Sequence, residues 1–439
     1  MITKQLATNI FNTTLESMPQ SVVLHAKKSL LNWLGVTIGG INHETINILL
    51  ETTEELTNSD QATILGRNKK MDILSATLIN GTSSHIFDYD DTHLDTIHHP
   101  SGPVAPVVFA LGEKFGTDCQ TLLRAFILGC EVELRISKAI YPSHYQNGFH
   151  ITSSTGVFGA MTAAGIIMEV NEEKMAMGLG LAGTQAFGLR EMFGTMTKSF
   201  HPGKAAQNGL LAALLVKNGF TSSDQVLEAK RGFLNVYNSN SQPEKILENW
   251  GEDWQLEKNS FKPYACGIVL HPSIDACIKL SNVITPNEVK EIQLTVHPYV
   301  LELTGKKFPA TGLEAKFSIY HASAISFLEQ DASEEQFSDN KVQNPEVVAF
   351  RKKIKPFVND SMDKEKVSAN LIKQDGTEYD IYVEHATGSL EKPMTQENIN
   401  RKFTNLCKDN LPERRIKLLI DRMMEFENLA SIQEVLKYI

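Results

Sequence analysis

Apolar residues recur at three- and four-residue steps through most of the first 260 residues, the period of helices that bury one face. Residues 21–39 are the clearest case: Val23, Ala26, Leu30, Trp33 and Leu34 share a side, and Gly39 and Gly40 end the run. Residues 156–186 keep a helical period while being dense in Gly, Ala, Met and Thr, which predicts helices that approach one another closely. After about Lys262 the period changes. Ile292, Leu294 and Val296 alternate with Gln293, Thr295 and His297, predicting a strand with one buried face. Residues 367–372 and 379–383, separated by Gln374, Asp375 and Gly376, predict a hairpin, so the sheet is antiparallel in part. Beyond Pro393 the helical period returns. Ile416, Leu419, Ile420, Met423 and Phe426 form one stripe after Pro412, which predicts a C-terminus packed back onto the helical part. Residues 329–344 are polar and predicted to be mobile, and no repeat of solenoid period occurs.

A chain of 439 residues exceeds what one hydrophobic core organises, so two domains are expected. The 42% hydrophobic and 21% charged composition is globular and leaves no room for a long disordered tract. Five widely spaced cysteines without a CxxC pair read as reduced thiols, which fits a cytoplasmic location. Residues 1–11 lack the apolar core of a secretory signal, and the softest apolar stretch, 156–170, is too short and interrupted to cross a bilayer. The net charge of −10 disfavours nucleic acid and anionic membranes as partners. It also means that an anionic substrate must meet a local group of cations.

Candidate chemistry lies in four segments. Residues 85–102, HIFDYDDTHLDTIHHPSG, hold four of the thirteen histidines and four aspartates. Imidazole next to carboxylate is the pairing for proton transfer near neutral pH. The competing reading is a polar loop that caps a helix through Asp90, Asp91 or Thr92. The run from Asp88 to Thr92 also fits the DxDxT pattern of aspartate-nucleophile phosphatases, but no buried strand precedes it. Zinc on His93, His98, His99, Asp88 and Asp95 is disfavoured by the lack of an HExxH helix or cysteine pair. In the second segment His150 precedes Thr152, Ser153 and Ser154 at the start of a helix, where a carboxylate can sit; a structural histidine is the alternative. The third, 189–208, carries Arg190, Lys198, His201 and Lys204 interleaved with Met192, Phe193, Met196 and Phe200, a half-buried cationic cluster rather than a solvated basic face. The fourth, 262–272, is a loop punctuated by Pro and Gly at the expected domain junction. Its Cys266 reads as a small buried thiol with nothing nearby to activate it.

Together these segments resemble the MmgE/PrpD family. The likeness rests on NGTSSHIFDYDDTH with HPSGPVAP, GFHITSSTGVFGA, FGTMTKSFHPGKAAQNG, and KPYACGIVLHPSIDA followed by EAKFSIYHA, in order across most of residues 80–325. The resemblance implies a mainly α fold: a large all-helical domain from residues 1–262 with 398–439, and a smaller α+β lid over 263–397. It further implies a homodimer, no metal or other cofactor, and an active site between domains. Catalytic positions carried over are Asp88, Thr92, His99, His150 and Lys198. Lys262 and His271 are expected in the pocket with His201, whereas Arg190 enters by composition and location. Two departures stand out. Decarboxylase-type members have a histidine in place of Gly267 and a tyrosine in place of His321.

The implied chemistry is that of a lyase acting on a small polycarboxylate by moving a proton beside a carboxylate. Lys198, with Arg190 or His150, would pin the carboxylates, and His99 or His150 would remove the proton. Dehydration of the 2-methylcitrate type is placed first, cis-aconitate decarboxylation second, epimerisation of an amino-dicarboxylate of the iminodisuccinate type third, and a noncatalytic tricarboxylate-binding module last.

Overall fold

Helix α1 (Gln20–Gly40) carries the apolar pattern of residues 21–39 and is buried on nearly every side through its middle. The Trp33 ring lies 5.0 Å from that of Phe109, both shielded from solvent. Each such buried side chain contributes roughly 1.5–3 kcal/mol by leaving water. In this computed structural model, which describes residues 1–56, 59–238 and 240–439, the chain forms two compact units. One comprises Met1–Ile86, Asp90–Ser260 and Gln396–Ile439; the other comprises Phe87–Tyr89 and Phe261–Thr395.

The first unit is helical. After α1 come α2 (Ile73–Ser83), α3 (Ser101–Phe115), α4 (Cys119–Ile140), α5 (Ile151–Ile167), α6 (Glu172–Gly183) and α7 (Met196–Lys217). Helix α5 is buried along its whole length and packs against α3, α4, α6 and α7. The helical run of residues 156–186 is therefore two helices. It breaks where Glu169 takes a φ of 55° and the Asn171 side chain accepts from Lys174 N to cap α6.

Helices α2 and α7 touch backbone to backbone. A Cβ on Gly81 would lie 2.6 Å from Gly203 Cα, and one on Gly203 would lie 2.3 Å from Leu78 O. Only a glycine pair allows this approach, and it sets the exit of α2 beside the first turns of α7. A short antiparallel pair, β1 (Thr92–His93) with β2 (Asn259–Ser260), pins the segment between α2 and α3. Helix α3 starts after Pro100, so none of Asp90, Asp91 and Thr92 is its N-cap residue, although the Asp91 carboxylate accepts from Ser101 in its first turn. Among the described residues, no helix is long and apolar enough to cross a membrane.

The second unit is built on four strands, β3 (Val289–Val296), β4 (Ile354–Val358), β5 (Val367–Lys373) and β6 (Glu378–Val383), in the order β4-β3-β5-β6. Strand β4 runs parallel to β3, and the others pair antiparallel. Val289, Ile292, Leu294 and Val296 are buried, and the turn between β5 and β6 uses Gly376 at a φ of 87°. Helices α8 (His271–Ser281) and α9 (Ile319–Glu329) pack on the sheet, and α10 (Pro345–Arg351) packs on α9. Residues 329–344, expected to be mobile, instead hold two helical turns, Glu334–Phe337 and Asp339–Gln343. Phe337 and Val342 are buried there, and Glu334 pairs with Lys316, so apolar anchors inside a polar run hold it in place. Helices α11 (Gln396–Cys407) and α12 (Glu413–Met424) return to the helical unit and pack against α1.

Candidate active site

Four chain segments end at one buried place in the helical unit. His85 follows α2, Asp90 and Thr92 lead into β1, His99 and His150 stand just before α3 and α5, and Lys198 and His201 occupy the first turns of α7. None is more than 5% exposed. Ile97, two residues before His99, adopts a φ of 55°, a left-handed conformation that costs a β-branched residue on the order of 1–2 kcal/mol. The surrounding packing must hold that strain to aim His99.

The hydrogen bonds assign the protons. His85 Nε2 lies 3.0 Å from Lys198 Nζ, and an ammonium can only donate. His85 therefore carries its own proton on Nδ1 and donates it to Asp90 Oδ2, 2.7 Å away. His99 Nδ1 lies 2.8 Å from the Asp91 carbonyl and 3.1 Å from Thr92 Oγ1. A carbonyl only accepts, so Nδ1 holds the hydrogen and neutral His99 keeps its lone pair on Nε2. His150 and His201 face each other through their Nδ1 atoms at 2.8 Å, so one donates and the other accepts. The rings of His85, His99 and His150 lie 4.8–6.5 Å apart, and the Phe193 ring meets His150 edge to face.

Lys198 is the cation of this group, linked through His85 to the Asp90 carboxylate, and the imidazoles around it are kept neutral. Burial, then His201 and Lys198, hold His150 well below the usual imidazole range. Burial, His85 and Lys198 lower His201 to about 4. Burial raises the Asp91 carboxyl to about 7, although Ser101 and Asn259 donate to it. His85, His99 and His150 each offer a ring nitrogen, all within 4.8 Å of one another, a spacing that can hold a metal ion. The Lys198 ammonium stands 3.0 Å from His85 Nε2 and opposes a second cation. An anion is the complementary guest.

The other candidates have partners of their own. Asp88 belongs to the second unit, where Lys262 Nζ donates to its carbonyl at 2.8 Å and to Oδ1 at 2.9 Å. Lys316 donates to Phe87 O, and Tyr89 Oη to Pro263 O, which ties the whole tripeptide to that unit. His271 opens α8, buried, with Nε2 lacking a hydrogen-bond partner among the described residues; burial and Lys262 lower it to about 3. His321 donates from Nε2 to the Gln336 carbonyl. Arg190 is engaged by Tyr145: its guanidinium lies 4.1 Å above the ring and Nη1 donates to Tyr145 O at 3.0 Å. Lys204 bonds Gln207. Among the residues weighed as zinc ligands, His93 bonds Thr96, His98 faces Glu133, and His99 belongs to the histidine group. Burial pushes the Cys266 thiol up to about 12, as expected of an inert cysteine.

Two members of the cluster were absent from the sequence-derived site, His85 and Asp90. Their five-residue spacing inside the His/Asp-dense segment was the available signal. What it lacked was the turn that folds the Asp90 carboxylate back onto the His85 ring.

Such a buried histidine–lysine–aspartate cluster at the ends of packed helices holds the groups that acid–base chemistry uses. The chain belongs to the MmgE/PrpD family: the MmgE/PrpD N-terminal domain profile matches residues 4–246 and the C-terminal domain profile residues 264–425. It is a lyase of that family's type. Three proteins named cis-aconitate decarboxylase are similar to it. That of Aspergillus terreus (strain NIH 2624 / FGSC A1156) is 26% identical, covering 97% of this chain and 93% of its own length. That of Mus musculus is 26% identical over 99% and 93%, and that of Homo sapiens 26% identical over 98% and 92%.

Proposed function

We propose that this chain decarboxylates a small unsaturated polycarboxylate, cis-aconitate being the first substrate to test, without a metal ion. The observation that carries the reading is the Asp90–His85–Lys198 chain beside His99 and His150, a buried cationic group with protons on assigned atoms. End-to-end similarity to three cis-aconitate decarboxylases favours loss of carbon dioxide over the dehydration that the motifs alone placed first.

In this reading Lys198, oriented by His85 and Asp90, binds a substrate carboxylate. His150 and His201 are neutral in the empty site because burial and Lys198 oppose their charging. A polyanion reverses that balance, so binding draws in a proton. The carbon–carboxylate bond on the saturated carbon then breaks and carbon dioxide leaves. Its electron pair becomes the new C=C bond, the original alkene pair moves to the far carbon, and that carbon takes one proton from the cluster. Itaconate results, and water restores the proton. His99 or His150 is the donor, with Thr92 holding His99. Asp88, Lys262 and His271 are assigned to the same reaction as substrate-side groups.

A second reading, a hydro-lyase of the 2-methylcitrate dehydratase type, is favoured by Gly267 and His321, which depart from the decarboxylase pattern. Proton NMR with chelator present, on cis-aconitate, citrate and 2-methylcitrate separately, tests both. Itaconate signals from cis-aconitate are expected. Vinyl signals from 2-methylcitrate alone would replace the first reading with the second, and no turnover of any of the three would remove both.

A further inference from the structure

The second unit holds a cavity of about 560 Å³ whose lining includes Lys307, Phe308, Arg351, Lys352, Lys355 and Phe357, together with Tyr320 of the EAKFSIYHA motif. We infer that it is a binding site for a nucleoside polyphosphate. The volume falls within the range of small-ligand pockets, roughly 300–1,000 Å³. Four lining side chains are cationic and none is acidic, on a chain whose net charge is −10. Four positive charges match a nucleoside triphosphate, which carries roughly four negative ones near neutral pH.

Arg351 supplies a second, independent sign. It is 8% exposed, and its Nε–H has no hydrogen-bond partner among the described residues, although Nη2 donates to the Val342 carbonyl. A buried guanidinium with an unused donor on a cavity wall is expensive unless an anion completes it.

The aromatic part of the lining points to the base. Phe308 is 81% exposed and Phe357 50%, large rings left in water at the mouth of a cationic hollow. Lys307 Nζ lies 5.7 Å from the Phe308 ring centroid, so one side chain can meet a phosphate while its neighbour meets a flat heterocycle. The scaffold is firm: Tyr320 stands on α9, Arg351 ends α10, and Ile354, Lys355, Pro356 and Phe357 belong to edge strand β4. A concave site with a buried arginine suits a small polyanion better than an acidic protein surface.

The test is fluorescence anisotropy of N-methylanthraniloyl-ATP titrated with the full chain. Saturable binding is expected, displaced by ATP at least about tenfold better than by tripolyphosphate or by adenosine, since each lacks half of the recognition. Lys307→Glu with Lys355→Glu, both exposed, should weaken binding at least about tenfold with an unchanged melting temperature. Lys198→Ala should bind like wild type, which separates this cavity from the polycarboxylate site. Absence of saturation, indifference to the charge reversal, or loss of binding in Lys198→Ala would overturn the proposal. Equal displacement by tripolyphosphate would reduce the site to a polyanion contact, and equal displacement by a polyglutamate peptide would assign it to an acidic partner; either result overturns it too.

Discussion

Two buried charged groups in the helical unit have opposite designs. Arg135, 1% exposed, donates to Glu131 at 2.6 Å and to the carbonyls of Glu248 and Asp253 at 2.6 and 2.8 Å, and stacks on Trp250. Glu131 in turn accepts from the backbone of Gln255 and Leu256. Its partners are therefore mostly main chain and do not titrate. Around Lys198 the partners are His85, and through it Asp90, with His99, His150 and His201 alongside. A charge satisfied by backbone holds a loop. A charge satisfied by other titratable groups holds protons that can move.

The largest test of this contrast is on catalysis. Lys198→Ala and His99→Ala should each lower turnover of the decarboxylation substrate by about a hundredfold or more, the contribution of electrostatic and proton-transfer groups. Melting temperatures should stay close to wild type. Near-normal rates in both variants would take the chemistry away from this cluster.

Arg135→Met is the mirror experiment. Urea unfolding should show a loss of about 3–5 kcal/mol, the cost of leaving Glu131 buried without its cation. Turnover per folded molecule should hold. Adding Glu131→Met should recover part of the stability, and a double variant no better than the single one would contradict the account.

A pH series sharpens the comparison further. In the helical unit, burial lowers six imidazoles: His25, His93 and His201 to about 4, His98 and His150 well below the usual range, and His144 in the same direction. The unfolded chain then binds more protons than the folded one below pH 6.5, so stability falls as pH drops toward 4, by at most about 1.4 kcal/mol per pH unit for each histidine. Three carboxyls, Asp91, Glu131 and Glu133, are raised and act in the opposite sense, losing stability as pH rises through their folded values. Six outweigh three, and unfolding free energy at pH 5 should lie below that at pH 7. A flat or inverted profile would mean that the raised carboxyls outweigh the imidazoles or that the imidazoles are charged in the folded state, and either contradicts the balance drawn here.

The smallest effect is expected at Arg190. Because Tyr145 takes both its ring face and Nη1, Arg190→Ala should change KM and turnover by less than about tenfold. A loss as deep as that of Lys198→Ala would make Arg190 a substrate clamp after all.

Much of this was legible in the residues. The 3.6-residue period of α1 and the alternation in β3 placed both elements to within two residues, because burial selects one face at a fixed repeat. His99, His150 and Lys198 could be singled out by composition, motif and family likeness. His85 and Asp90 could not, since their roles depend on a turn and on a lysine more than a hundred residues away. The polar run at 329–344 misled for the reverse reason: its anchors, Phe337 and Val342, are few but deeply buried.

What the sequence by itself determined was the mainly helical character, the later sheet, the family and the kinds of group available for chemistry. These follow from local periodicity and from motifs read in order. Which imidazole holds its proton on which nitrogen, the neutral state imposed on His150 and His201, the binding of Asp88 by Lys262, and the unused Arg351 donor were decided only by tertiary structure. Tautomer, desolvation and partner choice depend on atoms within a few ångströms in space, and those atoms come from segments far apart along the chain.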